Sequence, residues 1–162
     1  MAEALIEIDL DDGHVEAFVL CPDGGGPRPP VLLLAPRDAS LRQVRRLADR
    51  FSASPHYVLA PIWWLRPEAD RREDAEAWFD FLADERRVED TRVGVVGFGE
   101  GADLALRLAA WRAERVAALA VFGGEGLGAS GAADVAQRLN AMIRVGYPIG
   151  RPRGRIGVLE TA

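Results

Sequence analysis

The sequence predicts an α/β fold: a mostly parallel sheet flanked by helices, with an antiparallel hairpin at the N-terminus. Three observations predict it. Strand-length segments dominated by apolar residues recur at 31–35, 57–60, 92–96 and 116–122, as expected of strands buried on both faces. Between them lie segments with apolar residues every three or four positions, so strands alternate with helices. At 97–101 the chain reads Gly-Phe-Gly-Glu-Gly, directly after one such strand and directly before a helical pattern.

The elements follow in order. Segments 5–10 and 15–20 alternate apolar and polar residues around Asp11-Asp12-Gly13, which reads as a hairpin. The Gly- and Pro-rich stretch 22–30 is an exposed loop. Ser40 caps a helix whose apolar stripe is Leu41, Val44, Leu47, Ala48 and Phe51, while Arg42, Arg45, Arg46 and Arg50 form its solvated face. Ala75, Trp78, Phe79 and Leu82 mark a second helix within a densely charged stretch, and Leu104, Leu108 and Trp111 a third. Domain organisation is expected to be one α/β unit over 1–140, followed by 141–162 as a final strand or a poorly ordered tail rich in Arg, Gly and Pro.

The chain has 162 residues, enough to bury about two thirds of its unfolded surface in one core. Its net charge of -5 and lack of a basic stripe argue against nucleic acid and acidic membranes as partners. All 20 basic residues are Arg, the coding bias of a GC-rich, bacterial type of genome. The N-terminus lacks the order of a signal peptide, the single Cys21 cannot form an internal disulfide, and no apolar run approaches the roughly 20 residues of a membrane span, so a cytoplasmic protein is expected. Two isolated His and one Cys give no zinc-ligand spacing, so no metal and no cofactor are expected. A dinucleotide site is disfavoured because Asp103, directly after Ala102 at the start of the helix, would set an acid against the phosphates.

The motif at 97–101 has the form of a nucleophile elbow, in which the middle residue is lifted above the sheet on a strained strand-to-helix turn. That middle residue is Gly99. Together with the hairpin, the strand ending Leu34-Ala35-Pro36, the strand ending Ala60-Pro61 and the strand ending Val121-Phe122-Gly123, the motif resembles the dienelactone hydrolase family of the α/β-hydrolase fold over residues 4 to 140. The resemblance implies hydrolysis of lactones or esters through an acyl-enzyme, with Cys or Ser at the elbow and an Asp and a His from later strands. It puts the nucleophile position on Gly99, one oxyanion-hole donor on the backbone N–H of Glu100 and the other near Arg37. Where the family places a Glu that controls the nucleophile, this chain has Arg37 followed by Asp38. No His follows Gly99, and 140–162 shows no strand leading into a carboxylate, so the chain reads as a C-terminally shortened member lacking all three catalytic groups.

The remaining candidates are weaker. Cys21 beside Pro22 reads as a small buried or half-exposed thiol, Ser40 as a cap, Ser130 as part of a glycine-rich turn, and His14 and His56 as lying away from the carboxyl ends of the strands. Trp63, Trp64 and Phe98 are expected to line a pocket; two adjacent Trp cannot both enter one core if the segment is extended, so at least one covers the pocket or an interface. The expected function is binding of a small carbonyl or anionic ligand, or of a protein partner, without ester hydrolysis. Two alternatives stay open: hydrolysis with a non-standard nucleophile, and lyase, cyclase or isomerase chemistry with Glu100, Asp38 or Glu125 as general acid or base. A hydrophobic edge at 116–122 or 142–147 is expected to pair with a second copy or another protein.

Overall fold

A computed structural model describes residues 2–51, 56–89 and 92–122, together with the backbone of 143–146 and 156–161. The hairpin forms from β1 (Ala2–Leu10) and β2 (Gly13–Cys21), paired antiparallel with Leu10 opposite Gly13. Then come β3 (Pro30–Leu34), α1 (Leu41–Asp49), β4 (Tyr57–Pro61), α2 (Arg71–Asp84), β5 (Val93–Phe98), α3 (Glu100–Trp111) and β6 (Val116–Phe122). Two further strands, β7 (Ile143–Gly146) and β8 (Ile156–Thr161), complete a sheet of order β1-β2-β4-β3-β5-β6-β8-β7.

The four central strands β4, β3, β5 and β6 are parallel, and β2 and β8 run antiparallel to them at either side. The mixed, mostly parallel sheet with flanking helices and an N-terminal hairpin is therefore as the sequence predicts. The addition is β8, which falls in the segment expected to be a final strand or a tail: it pairs with β6 and leaves β7 at that end of the sheet. Among the described residues no helix is long and apolar enough to cross a membrane.

The strands show why continuous apolar runs were needed. Along β3, Leu32 and Leu34 pack with Trp78, Phe79 and Leu82 of α2 and with Leu104 and Leu108 of α3. The alternate residues Val31 and Leu33 pack on the other face with Val44 and Ala48 of α1. Both faces are dry, so a polar residue on either would lose hydration without compensation. Helix α1 starts on a complete capping box: the Gln43 N–H donates to Ser40 Oγ at 3.3 Å, and the Ser40 N–H donates to Gln43 Oε1 at 2.8 Å.

The strand order places the site. The chain leaves β3 through α1 to reach β4 on one side, then returns through α2 to β5 on the other side of β3. Successive crossovers depart in opposite directions at β3, and their helices cover opposite faces. Such a switch point opens a crevice at the carboxyl ends of the two strands involved, here β3 and β5.

Candidate functional site

The turn 97–101 lies at the carboxyl end of β5, at that switch point. Two of its glycines are fixed by packing. A Cβ on Gly97 would meet the Gly101 carbonyl oxygen and lie 2.6 Å from Ala102 Cα; one on Gly101 would meet the Leu34 carbonyl oxygen and lie 2.7 Å from the Ala35 carbonyl oxygen. These two residues let the first turn of α3 sit directly on the ends of β5 and β3.

Gly99 differs. Its backbone has φ 59° and ψ -125°, a conformation costly for an L side chain, yet a Cβ there would make only ordinary contacts, the nearest being Pro36 Cβ at 3.4 Å. Its N–H donates to the Phe122 carbonyl at 2.9 Å and its carbonyl accepts from the Ala102 N–H at 3.0 Å. The strained turn that presents a nucleophile is thus built, with space for the side chain, and the side chain is a hydrogen.

Glu100 begins α3, and its carboxylate reaches back across the crevice: the backbone N–H of Arg37 donates to Glu100 Oε2 at 3.3 Å. Glu100 and Arg37 were paired in the sequence as two backbone donors of one oxyanion hole. In the structure they are in contact, but the acceptor on Arg37 N–H is the side chain of Glu100 itself. Asp38, exposed at φ 60° in the turn closed by the Ala39 N–H to Pro36 O bond of 3.2 Å, makes no hydrogen bond or ion pair among the described residues. Glu125 and Ser130 lie outside the described residues.

Trp63 and Trp64 follow β4 on a short 3-10 turn, Trp63–Leu65, and meet edge to face with ring centroids 5.7 Å apart. Trp63 is 2% exposed and donates its indole N–H to the Ala35 carbonyl at 2.9 Å, which ties this turn to the end of β3. Trp64 is half-buried and packs against residues of both sheet faces, as the geometry of adjacent side chains requires. Phe98 lies on the α1 face, stacked on Phe122 at 4.9 Å. The exposed apolar residue at this rim is Leu65, 71% accessible.

Arginines surround Trp63. The guanidinium groups of Arg37 and Arg71 each sit 5.1 Å from its ring centroid. Arg71 is 2% exposed; it donates to the Trp63 carbonyl at 2.5 Å and the Arg66 carbonyl at 3.2 Å, while its Nε has no partner among the described residues. Burial lowers its pKa, Glu68 and Asp74 oppose that, and the nearby positive charges of Arg107 and Arg37 reinforce it. Glu68 lies between the exposed arms of two of these residues, 3.1 Å from Arg107 Nη1 and 3.9 Å from Arg37 Nη2. Nothing in the sequence marked this cluster; the only hint was a charged stretch around a Trp pair.

The other candidates are placed away from it. Cys21 is buried, with its thiol 3.7 Å from the Pro22 carbonyl, at the amino end of the parallel strands, because Leu20 pairs with Val58 at the start of β4. His14 is exposed on the hairpin, 3.7 Å from Glu7. His56 precedes β4 at the same end as Cys21. No cluster of three or more His, Cys, Asp or Glu side chains able to hold a metal occurs among the described residues.

Residues 42–151 match the model of the dienelactone hydrolase family. Among solved structures, similarity extends to a protein named m3DLH, at 22% identity and TM-score 0.66, covering 78% of this chain and 60% of that one. The thermostable carboxylesterase EstE1 from a metagenomic library follows at 21% identity and TM-score 0.65, covering 73% and 45%. The dienelactone hydrolase of Anabaena variabilis matches at 19% identity and TM-score 0.60, covering 76% and 63%. The chain thus spans between about half and two thirds of the length of these structures, and at such identities the likeness is one of fold. None of the curated proteins matches the chain.

Proposed function

The chain belongs to the dienelactone hydrolase family, and from that premise we propose that it is a member that binds a small carbonyl or anionic ligand at the elbow rather than hydrolysing an ester through an acyl-enzyme. The observation that carries this reading is Gly99. A covalent mechanism needs an atom that attacks the carbonyl carbon, and a hydrogen on the elbow residue supplies none. The space above Gly99 and the backbone groups beside it remain, and backbone N–H groups at the start of a helix favour a carbonyl or anionic oxygen. The carboxylate of Glu100 opposes anion entry, but its bond to Arg37 is 3.3 Å long and exposed, so it yields at small cost.

The test is hydrolysis of a short p-nitrophenyl ester and of a simple lactone by the wild-type protein and by Glu100→Gln. Background rates for both proteins are expected. Turnover well above background overturns the reading, and its loss in Glu100→Gln would move the site to acid–base chemistry by that carboxylate. A Cys21→Ala variant as active as wild type would then exclude the only thiol.

A further inference from the structure

We infer that Arg37 and Arg107 form a clamp for the oxyanion group of a small ligand, a carboxylate or a phosphate, and that Glu68 sits in it as a tethered placeholder. This goes beyond the elbow reading, because it concerns guanidinium groups and not backbone donors, and it stands whether or not esters are hydrolysed.

The geometry is that of a carboxylate held between two arginines: one oxygen of Glu68 lies 3.1 Å from Arg107 Nη1 and the other 3.9 Å from Arg37 Nη2. An oxyanion therefore fits between the two groups, since one already occupies the position. The occupant is loosely held. Glu68 opens a three-residue 3-10 turn after Pro67, its side chain is 65% exposed, and its contact with Arg37 is at the limit of an ion pair. The clamp is better fixed: Arg37 stacks on Trp63, and Arg107 projects from the second turn of α3 and packs against the Trp111 ring at 5.8 Å.

Charge points the same way. Arg71 stands behind the clamp on Trp63 as a buried cation whose hydrogen bonds go to carbonyl oxygens, so Glu68 serves three guanidinium groups. Asp74 offsets part of the charge on Arg71, but both its oxygens are hydrogen-bonded by Arg66, at 3.1 and 3.3 Å. The clamp adjoins the elbow through Arg37, whose N–H meets Glu100 next to Gly99. A ligand with an oxyanion at one end would therefore direct its other end toward the vacant position.

The test is isothermal titration calorimetry at low ionic strength with malonate, inorganic phosphate and neutral malonamide, on wild type, Glu68→Gln and Arg107→Gln. Removing the tethered competitor is expected to tighten binding of the preferred anion about fivefold, and removing one arm to weaken it by a similar factor. Malonamide should not bind. The anion with the larger response distinguishes a carboxylate ligand from a phosphate one. Equal affinities in all three proteins, binding of malonamide as strong as that of malonate, or no heat from either anion with Glu68→Gln overturns the inference. Glu68 is exposed and Arg107 half-exposed, and a melting curve for each variant verifies folding. The ester assay reads the elbow separately, so failure of either proposal leaves the other legible.

Discussion

The two ends of the parallel strands carry polar clusters of opposite design. At the amino end, Tyr57, Glu85 and Arg87 form a closed set on the wall of a cavity of about 350 Å³ between the hairpin and α2. The Tyr57 hydroxyl donates to Glu85 Oε2 at 3.3 Å, and Arg87 donates to both Glu85 oxygens, at 3.0 and 2.9 Å. One carboxylate meets one guanidinium, and the phenol completes the set. At the carboxyl end, Glu68 is shared among several arginines, and the strained turn beside them presents no side chain. A closed cluster spends its hydrogen-bonding capacity on the fold; an unbalanced one keeps capacity for something outside the chain.

The largest expected effect sharpens this contrast within the elbow. Gly101→Ala drives a Cβ into the carbonyls of Leu34 and Ala35, and rigid backbone on both sides leaves no relaxation, so a loss of more than about 3 kcal/mol is expected by urea denaturation. Gly99→Ala has room and suffers only its backbone conformation, about 1–2 kcal/mol. Equal losses would show that Gly99 is fixed by packing like its neighbours, and the elbow would no longer be a vacant frame.

The amino-end cluster makes the next prediction. Arg87 first, helped by its backbone N–H and by Tyr57, holds the Glu85 carboxyl at about 2, below its ordinary 4.5, against the opposing effect of burial. A carboxyl whose folded pKa is depressed adds stability above its unfolded value and loses it as pH falls through the folded value. Stability should therefore drop between about pH 4.5 and 2, by about 1–2 kcal/mol after allowance for the half-exposed Arg87. Glu85→Gln should cost about 1 kcal/mol at neutral pH and flatten that part of the curve. An unchanged acid limb in the variant would mean that the cluster is no more closed than its counterpart.

How much of this was legible in the sequence differs by end and by kind of residue. The strands were readable because burial on both faces demands unbroken apolar runs, and 116–122 reads as a strand with the bounds the structure gives. Ser40 was readable because a cap is a local device. Strand β8 was not separated from the tail, since Ile156 to Thr161 is short, follows a stretch rich in Arg, Gly and Pro, and has its pairing partner β6 more than 30 residues away in sequence. Nor was the burial of Arg71 and Asp74 legible: charged residues at helix starts usually face water, and these are buried only because the Trp63 turn and Arg66 fold over them. Gly99 was legible as a missing nucleophile. That its Cβ has room, whereas those of Gly97 and Gly101 do not, depends on how closely α3 approaches β3, which no local pattern encodes.

The smallest expected effect separates the two ends most directly. Glu68 is exposed and its pairs with Arg37 and Arg107 cross open solvent, so Glu68→Gln should change stability by less than about 0.5 kcal/mol. Both ion pairs are lost in the substitution, but each is exposed and screened by salt. The substitution of a carboxylate by an amide thus costs stability at Glu85 and almost none at Glu68, although each contacts arginine at about 3 Å. A large loss at Glu68, measured by the same urea denaturation, would place that residue among the structural pairs and remove the reason to regard it as a replaceable occupant.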